Sequence, residues 1–586
     1  MKKITILCFL LCTVLTLFSQ SWQWGRRAGS TWTLPNSNEE IPLDLATDNM
    51  GNVYVLSLVY PNSLLSVDTS YVGNFFTSNA SNVLVHSYSC DGSLRWKKII
   101  GTASGSYAKS IQTDTMGGVY VLAKIFTNGT PVHVSNDTSF VNGNKQLYII
   151  KFDTAGSLKW MRTPLPDTIS LNNALNNATP IDMHVDKAGM VTLFTELPAG
   201  DNLNGALILN SPAPYALRYD RFGNYISATA IPFRVTGIKA TYRMSCYATV
   251  APNGNFVFSG YRFYIPEDTV FAGTDMLRGR SFVIVSDPNG QLLWYREPKV
   301  ADTTMLAFSG SVFMGRAATD EASNIYLSGC GQHNDTLDGF LFVNTSQPLS
   351  SAMPLIVKFN PQGNLQWAQL GSNNAIAWAH GICYTNSRVA VTGVYSNYHM
   401  SFVGSPLFLG HQPNEGKDPF LAIFNASDGN LLVLDSLHGL FGNDETGYVI
   451  TADAKNNFFV GGSFDPYMVI NGDALQTSGG KDIFLAKYGV SDCNFPVYAS
   501  IRDAVDNSSF VLYPNPSSGK LQIKAQLFNI EFVEICDLLG NRVFYHEIHG
   551  LTNELEIDIR QLPKAVYILK ARDRNSKQMC KKVVLQ

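Results

Sequence analysis

Charged residues are scarce in this sequence. They make up 15% of its 586 residues, against about 25% in an average soluble protein. The 43 basic and 46 acidic side chains leave a net charge of −3, and the basic residues form no run. Nucleic-acid binding requires a concentrated positive surface, so we expect no nucleic-acid partner.

Long apolar runs are almost absent too. The single one covers residues 4–18, follows Lys2 and Lys3, and is followed by the small and polar residues 19–21. A positively charged N-terminal region, a short apolar stretch and small residues at the cleavage site are typical of a Sec signal peptide, which we predict over residues 1–20. We expect no transmembrane segment in the mature protein, because no later stretch is apolar enough to span a membrane.

Cysteine is present but shows no pattern. Two of the nine cysteines lie in the signal peptide, and the rest are scattered without a CxxC pair: Cys90, Cys246, Cys330, Cys383, Cys493, Cys536 and Cys580. This spacing excludes a disulfide framework and a zinc site, although one bridge is compatible with it. We expect most of these cysteines to be small buried hydrophobic side chains.

Motifs of enzyme active sites are missing as well. The chain has no HExxH, no G-x-S-x-G and no P-loop, the patterns that mark zinc proteases, serine hydrolases and nucleotide-binding proteins. We therefore predict no catalytic residue, no cofactor and no metal. The paired His380 and Trp378 are the best binding candidates. His380 is expected to approach the central axis of the fold beside Trp378, on the loop-rich face. The ordinary interpretation of the pair is a solvated loop histidine next to a packed tryptophan.

What the sequence does contain is a repeat. "DNMGNVYVLS", from Asp48, combines turn residues with a β-branched and aromatic strand. Its third turn residue recurs at positions 51, 117, 189, 254, 323, 387 and 456, which are 64 to 72 residues apart. Seven copies at a nearly fixed period predict a repeat architecture.

A second pattern follows each copy. "YIIKFDTAGSLKW" from Tyr148 and "LIVKFNPQGNLQW" from Leu355 are two examples, in which a turn separates alternating strands. The repeat is therefore strand, tight turn, strand, longer connection, strand, tight turn, strand. Four antiparallel strands repeated around an axis form a β-propeller blade. We predict a seven-bladed β-propeller over residues 21–490.

The last repeat lacks its fourth strand. It ends with "DIFLAKYGV" at residues 482–490, whereas the mature chain starts with "WQWGRRAG". Trp24 stands five residues before Gly29, as Trp96 stands before Gly101. We predict that Trp22 to Gly29 supplies the missing outer strand and covers an open sheet edge.

The turn aspartates invite comparison with calcium loops. A Ca²⁺ loop needs several carboxylates, whereas Asp48 and Asp114 stand almost alone; "NDTLDG", with Asp335 and Asp338, comes nearest to an ion loop. An aspartate that closes its own turn, followed by a glycine with positive φ, explains the pattern without a metal.

The repeats resemble the SBBP-type seven-bladed propeller repeats of bacterial surface and secreted proteins. The tail, residues 510–586, is predicted to be a small β-sandwich, joined to the propeller by a linker, 491–509. Its distinctive residues are Tyr513, Pro514, Asn515, Pro516, Gly540, Asn541, Tyr567 and Lys582. With these residues the tail resembles the type A C-terminal sorting domain of the Bacteroidetes type IX secretion system.

The sorting-domain resemblance implies export by the type IX secretion machinery and a place at the outer cell surface or in the medium. The sequence thus favours an all-β, exported, non-catalytic propeller that binds a glycan or protein through its loop-rich face. The alternative is a secreted hydrolase or lyase acting on polysaccharide. Such an enzyme would need two carboxylates, or a histidine with a carboxylate, gathered at the axial mouth of the propeller.

Overall fold

The chain divides into two compact units, Met1–Phe495 and Pro496–Gln586. The computed structural model describes residues 20–31, 40–60, 64–72, 80–126, 130–135, 137–140, 145–166, 178–236, 244–262, 269–299, 311–313, 315–343, 352–373, 376–396, 399–410, 416–439, 442–493, 510–525, 530–537, 542–548, 552–573 and 578–586. The predicted signal peptide and most of the predicted linker lie outside these residues.

Among the described residues of the first unit, seven sheets each have four antiparallel strand positions. We number them as blades 1 to 7 in chain order and give the strands of each blade from the innermost to the outermost. Blade 1 is Ile41–Thr47, Val53–Val59, Asn82–Tyr88 and Leu94–Gly101. Blade 2 is Ser106–Thr113, Gly118–Ile125, Leu147–Asp153 and Leu158–Arg162. Blade 3 is Thr179–Val185, Val191–Leu197, Ala213–Tyr219 and Tyr225–Ala230.

The remaining blades follow the same order. Blade 4 is Met244–Val250, Phe256–Arg262, Ser281–Ser286 and Leu292–Arg296. Blade 5 has Val312–Phe313 and Ala318–Thr319 at its innermost position, then Ile325–Gly331, Met353–Phe359 and Leu365–Asn373. Blade 6 is Ile376–Thr385, Arg388–Ser396, Gly416–Asn425 and Leu431–Ser436, and blade 7 is Thr446–Ala452, Phe458–Phe464, Asp482–Gly489 and Ser21–Ser30.

Neighbouring blades contact one another in chain order, and blade 7 contacts blade 1 through their innermost strands. The hydrophobic core lies between blade faces: Leu56 and Val85 of blade 1, for example, share one cluster with Val121 and Ile150 of blade 2. Each blade therefore buries its apolar side chains against the next. The fold is a β-propeller.

The prediction for the N-terminal strand is confirmed. Ser21–Ser30 pairs antiparallel with Asp482–Gly489, with Trp22 opposite Tyr488 and Ala28 opposite Ile483. The first and last strands of the propeller thus share one sheet, which covers the edge that blade 7 would otherwise expose.

The repeated turns adopt the predicted conformation. Gly51 has φ of 71°, and the equivalent residues in the other six repeats, including Ser323 and Asn456, also have positive φ. Asp48 closes its turn: Oδ1 accepts hydrogen bonds from the amides of Met50 and Asn52, and Oδ2 accepts one from the Tyr54 hydroxyl. The aspartate oxygens are therefore occupied by groups of their own blade.

The tryptophan of the Leu-x-Trp pattern joins neighbouring blades. The indole Nε1–H of Trp96 donates to the Thr154 carbonyl in the next blade, 2.9 Å away. Gly156, in that same turn, has positive φ, and a Cβ there would lie only 2.7 Å from the indole. Four other tryptophan indoles donate in the same way to backbone carbonyls: Trp24 to Cys90, Trp160 to Arg221, Trp294 to Pro361, and Trp367 to Ala426. The glycine allows the ring to pack flat against the turn.

The described parts of the longer connections between second and third strands contain short hairpins. Their strands are Leu65–Val67 with Ser70–Tyr71, Val132–Val134 with Thr138–Phe140, Gly200–Asn202 with Leu207–Leu209, Thr269–Ala272 with Asp275–Met276, Thr336–Leu337 with Phe340–Leu341, Met400–Phe402 with Phe408–Leu409, and Tyr467–Ile470 with Asp473–Gln476. A 3-10 turn, Leu203–Gly205, joins the third pair.

Several hairpins extend the preceding blade. Leu65–Val67 pairs with Ser21–Ser30, Val132–Val134 with Leu94–Gly101, and Met400–Phe402 with Leu365–Asn373. Thr269–Ala272 pairs with a separate strand, Phe233–Thr236, and Asn443–Asp444 pairs with Gly416–Asn425. The connections therefore add backbone hydrogen bonds between neighbouring repeats.

One disulfide joins distant parts of the first unit. Cys90, in the turn before the last strand of blade 1, is bonded to Cys493, and 403 residues separate the two. The bridge ties the residues that follow blade 7 to blade 1. It lies beside the closing strand, since the Cys90 carbonyl accepts the Trp24 indole hydrogen bond.

The second unit is a small β-sandwich. One sheet contains Phe510–Tyr513, Lys520–Ala525 and Glu554–Asp558, and the other contains Arg542–Glu547, Ile530–Cys536, Val566–Asp573 and Gln578–Val584. Leu521 and Ile523 of the first sheet pack with Val533, Leu569 and Val583 of the second.

Candidate functional site

The innermost strands share an irregularity that shapes the centre of the propeller. Five of them carry a register shift at the same place, which leaves one residue without an opposite partner: Leu43, Lys109, Ile181, His380 and Tyr448. A bulge of this kind turns a side chain away from the regular pleat. Four of these five residues line the axial pocket described next.

The axial pocket has a volume of about 550 Å³. Blades 1, 2, 4, 5, 6 and 7 contribute to it, and both aromatic and charged side chains line it. Binding pockets for small molecules typically measure about 300 to 1,000 Å³. The lining residues used below are Asp44, Lys109, Tyr247, Tyr261, Arg316, His380 and Tyr448.

Arg316 is the centre of a buried ionic cluster beside this pocket. Its Nε and Nη2 donate to the two oxygens of Asp182, at 2.9 and 2.7 Å, and its Nη1 donates to Asp44 Oδ2 at 3.1 Å. Nη2 also donates to Ser110 Oγ, 2.9 Å away. The guanidinium thus joins blades 1, 2, 3 and 5 across the axis.

Backbone amides complete the hydrogen bonding of both carboxylates. Asp182 accepts from its neighbour Met183 and from Ala248 in blade 4. Asp44 accepts from Leu45 and from Ile111 in blade 2. Burial raises the pKa of Asp44, while Arg316 opposes that rise. Since the oxygens of both groups are bonded to arginine and amides, the cluster is built to hold blades together.

Lys109 is a positively charged side chain of the pocket that forms no ion pair with a carboxylate of the described residues. Its Nζ lies 4.0 Å from the centroid of the Tyr247 ring, in a cation–π contact, and no hydrogen bond or ion pair joins it to any residue the structure describes. Burial lowers its pKa and raises the pKa of Tyr247 to about 12. The pocket therefore offers one ammonium group and several aromatic faces to a ligand.

His380 and Trp378 lie on an innermost strand, Ile376–Thr385, and not in a loop. The sequence suggested a solvated histidine and a packed tryptophan, but the exposures are reversed. His380 is partly buried, stacks on Tyr448 at 5.6 Å and contacts the Gly447 carbonyl through Nδ1 at 2.8 Å. Trp378 is 38% exposed. The bulge at His380 explains the reversal, because it redirects the side chain toward the pocket.

Sequence reasoning missed Asp44, Lys109, Asp182 and Arg316. One signal was available: Asp44, Asp182 and Arg316 stand at the same place of their repeats, before the turn residues at 51, 189 and 323, and Lys109 stands one residue further from its turn residue at 117. A charge in the middle of a core-facing strand is costly unless it is paired. Aligning the seven first strands would have brought these residues together.

The sorting-domain residues meet at one end of the second unit. The Asn515 side chain donates to the Lys582 carbonyl and accepts from the Val584 amide, so it links the Pro514–Pro516 turn to the last strand. Tyr567 is buried and donates to the Pro563 carbonyl. Tyr513 and Lys582 are exposed. Gly540 and Asn541 lie outside the described residues.

Groups that could bind metal are not gathered in the described part of the chain. No set of three or more His, Cys, Asp or Glu side chains there could hold an ion. In "NDTLDG", Asp335 Oδ2 accepts from the amide and hydroxyl of Ser311, and Asp338 lies 3.3 Å from Arg296. Asp167, Asp268 and Asp302, which precede threonines in the sequence, lie outside the description.

Comparison with known families identifies the tail. Residues 511–586 match the family described as "Secretion system C-terminal sorting domain". The chain ends in a sorting domain. Such domains mark proteins that the type IX system exports, so this protein is delivered to the cell surface or secreted. No helix among the described residues is long and apolar enough to cross a membrane.

Solved structures resemble the chain only distantly, and no curated protein sequence matches it. A polysaccharide lyase, PL25 ulvan lyase, is 10% identical, with 80% of this chain and 96% of that chain covered and a TM-score of 0.34. The WD40 domain of SCAP from fission yeast is 10% identical, with 80% and 99% covered and a TM-score of 0.29. Quinohemoprotein alcohol dehydrogenase from Comamonas testosteroni is 10% identical, with 80% and 76% covered and a TM-score of 0.31. TM-scores this low do not support an assignment of activity.

Proposed function

We propose that this exported protein is a propeller of the SBBP type whose axial pocket binds a glycan without catalysing its cleavage. The observation that carries the proposal is the composition of the pocket wall. Tyr247, Tyr261 and Tyr448 provide aromatic faces, and Lys109 provides a charged donor that no carboxylate holds. Sugar rings present both apolar C–H faces and hydroxyl groups, so aromatic rings beside polar side chains suit them.

The alternative, a hydrolase or lyase acting on polysaccharide, has one observation in its favour. Asp44 and Asp182 do come together near the axis, as such an enzyme would require. Both, however, are bonded to Arg316, and the Asp182 side chain is fully buried. A general acid or base must reach the proton that it transfers. The bonding of these carboxylates therefore supports binding over catalysis.

Glycan-array binding with the mature protein tests the proposal. We expect binding to a defined set of glycans and its loss in Lys109→Met and Tyr448→Ala. Trp378→Ala is the matched control, because Trp378 belongs to the same strand as His380 but does not line the pocket. Absence of glycan binding, or binding that survives both pocket substitutions, would refute the proposal. Release of shortened or unsaturated sugars would favour the enzyme.

A further inference from the structure

A second arrangement of polar side chains lies on blade 6, away from the residues that line the axial pocket. Ser436 Oγ lies 2.9 Å from His438 Nε2, and His438 Nδ1 lies 2.8 Å from Asp418 Oδ2. A serine, a histidine and an aspartate are thus joined in one hydrogen-bonded row. We propose that Ser436 is a nucleophile for acyl transfer, with His438 as its base and Asp418 as the residue that positions the base.

The antiparallel register explains why the three side chains share a face. Ser436 is paired with Phe420 across the two outer strands of blade 6. Two residues further along, His438 comes opposite Asp418, and the Leu437 amide bonds to the Pro419 carbonyl between them. Alternate residues of a strand point to the same side. Ser436, His438 and Asp418 therefore form a row set by the sheet itself.

The hydrogen bonds also fix the protonation of the imidazole. An ionised carboxylate can only accept, so the neutral ring carries its proton on Nδ1 and leaves the Nε2 lone pair for the Ser436 hydroxyl. The Asp418 side chain is 7% exposed and the His438 side chain 57% exposed. The positioning group is therefore sheltered, while the base and its serine are within reach of a ligand from solvent. Serine hydrolases use the same arrangement, in which a serine nucleophile bonds to a histidine base and the histidine bonds to an orienting carboxylate.

The proposed reaction is the hydrolysis of a carboxylic ester. Ser436 Oγ bonds to the acyl carbon while its proton passes to His438 Nε2, and the ester C–O bond breaks as the alcohol leaves with that proton. Water then adds to the acyl carbon while the same imidazole takes its proton, and the acyl–Oγ bond breaks as the imidazole returns that proton to Ser436 Oγ and the acid leaves. The amides of Ser436 and Leu437 already donate to Asp435 Oδ1 and the Pro419 carbonyl. Neither is free to stabilise an oxyanion, an interaction worth about 100- to 1,000-fold in rate. The substrates are therefore activated esters of small acyl groups.

The test uses the full-length protein, a fluorophosphonate probe and p-nitrophenyl acetate. We expect one probe adduct, located on Ser436 by mass spectrometry, and ester hydrolysis that Ser436→Ala abolishes. His438→Gln should lower both rates at least about 100-fold, the usual contribution of a general base. Ser427→Ala is the matched control, because Ser427 is an exposed serine of the same blade bonded only to Asn425.

Two further readouts separate catalysis from structure. Asp418→Asn should slow labelling and remove a downfield proton resonance from His438 Nδ1–H, which a folding defect alone would not do selectively. No adduct, an adduct on another residue, or hydrolysis that persists in a folded Ser436→Ala variant would overturn the proposal.

Discussion

At the scale of single residues, the centre of the propeller depends on one arginine. Arg316 holds Asp182 through two hydrogen bonds and Asp44 through a third, and all three belong to different blades. A buried ion pair contributes little compared with apolar packing, but removing one partner leaves a buried charge without compensation. The cluster therefore tolerates the loss of a partner poorly.

We predict that Arg316→Met lowers the free energy of unfolding by about 3 to 5 kcal/mol, because Asp182 would remain buried without a counter-charge. Lys109→Met, in the same pocket, should change it by less than about 1 kcal/mol, since Lys109 has no ion pair to lose. Urea unfolding of both variants measures the difference. Equal stabilities would show that the cluster is not structural.

A second residue-scale prediction concerns His86 in blade 1. Its side chain is buried, neither ring nitrogen has a hydrogen-bond partner among the described residues, and burial lowers its pKa to about 3. A depressed histidine pKa means that the unfolded state binds the proton first, so stability falls as the pH drops from about 6.5 towards 3.

Between pH 7.5 and pH 5, His86 should therefore contribute a loss of about 2 kcal/mol. Over the same pH interval, the free energy of unfolding of His86→Leu should fall by about 2 kcal/mol less than that of the unchanged protein. Urea titrations at the two pH values give the comparison. Parallel losses in both proteins would mean that His86 does not take up a proton on unfolding in this range.

At the scale of secondary structure, the closing strand and the tryptophans of the repeat hold neighbouring blades together. Ser21–Ser30 places Trp24 in a cluster with Leu45 and Val55 of blade 1 and Phe459 of blade 7. The same indole donates to the Cys90 carbonyl. One side chain thus contributes both apolar burial and a hydrogen bond at the closure of the propeller.

Trp24→Ala should lower the free energy of unfolding by about 3 to 5 kcal/mol, the usual result of truncating a large buried aromatic. Trp378→Ala, at a half-exposed tryptophan, should have an effect below about 1 kcal/mol. Thermal and urea unfolding of the two variants decide the point. A small effect at Trp24 would mean that the closing strand is held mainly by its backbone.

At the scale of the whole molecule, the disulfide and the tail concern the same region of the chain. Cys493 is bonded to Cys90, and it lies in the predicted linker, 491–509, that precedes the sorting domain. Cutting after Cys493 would separate the sorting domain but leave the bridge intact. The propeller would keep its closing strand and its disulfide after the tail is removed.

Replacing both cysteines, Cys90→Ser with Cys493→Ser, should lower stability by as much as about 5 kcal/mol, because the bridge restricts a very long loop of the unfolded chain. Reduction of the unchanged protein should reproduce the loss, and reduction of the double variant should add nothing. If reduction destabilised both proteins equally, the effect would not come from this bridge.

The exported protein should lack residues from about position 500 onward, because exposed polar linkers between compact domains are where proteases act. Residues 506–509, Asp-Asn-Ser-Ser, are polar and fall in the predicted linker, 491–509. Intact mass of protein recovered from the cell surface or medium measures the outcome. An exported form that still ends at Gln586 would contradict removal of the tail.

The sequence by itself determined the repeat, the turns, the closing strand and the sorting tail. The repeat, the turns and the tail depend on short-range chemistry: an aspartate that closes its own turn, a residue with positive φ, or strand alternation. The closing strand follows from the repeat itself, because the last copy lacks a fourth strand. These features need only a few neighbouring residues, so one repeat explains the others.

Only the tertiary structure decided which polar side chains meet. Arg316 and Asp44 are 272 positions apart in the chain and touch because the innermost strands surround one axis. The bulges that aim Lys109 and His380 at the pocket, and the register that sets Ser436 beside His438 and Asp418, depend on strand pairing. The contact of Arg316 with Asp44 is a property of the closed propeller, whereas the bulges and the register belong to strand pairing within a blade, and local patterns encode neither.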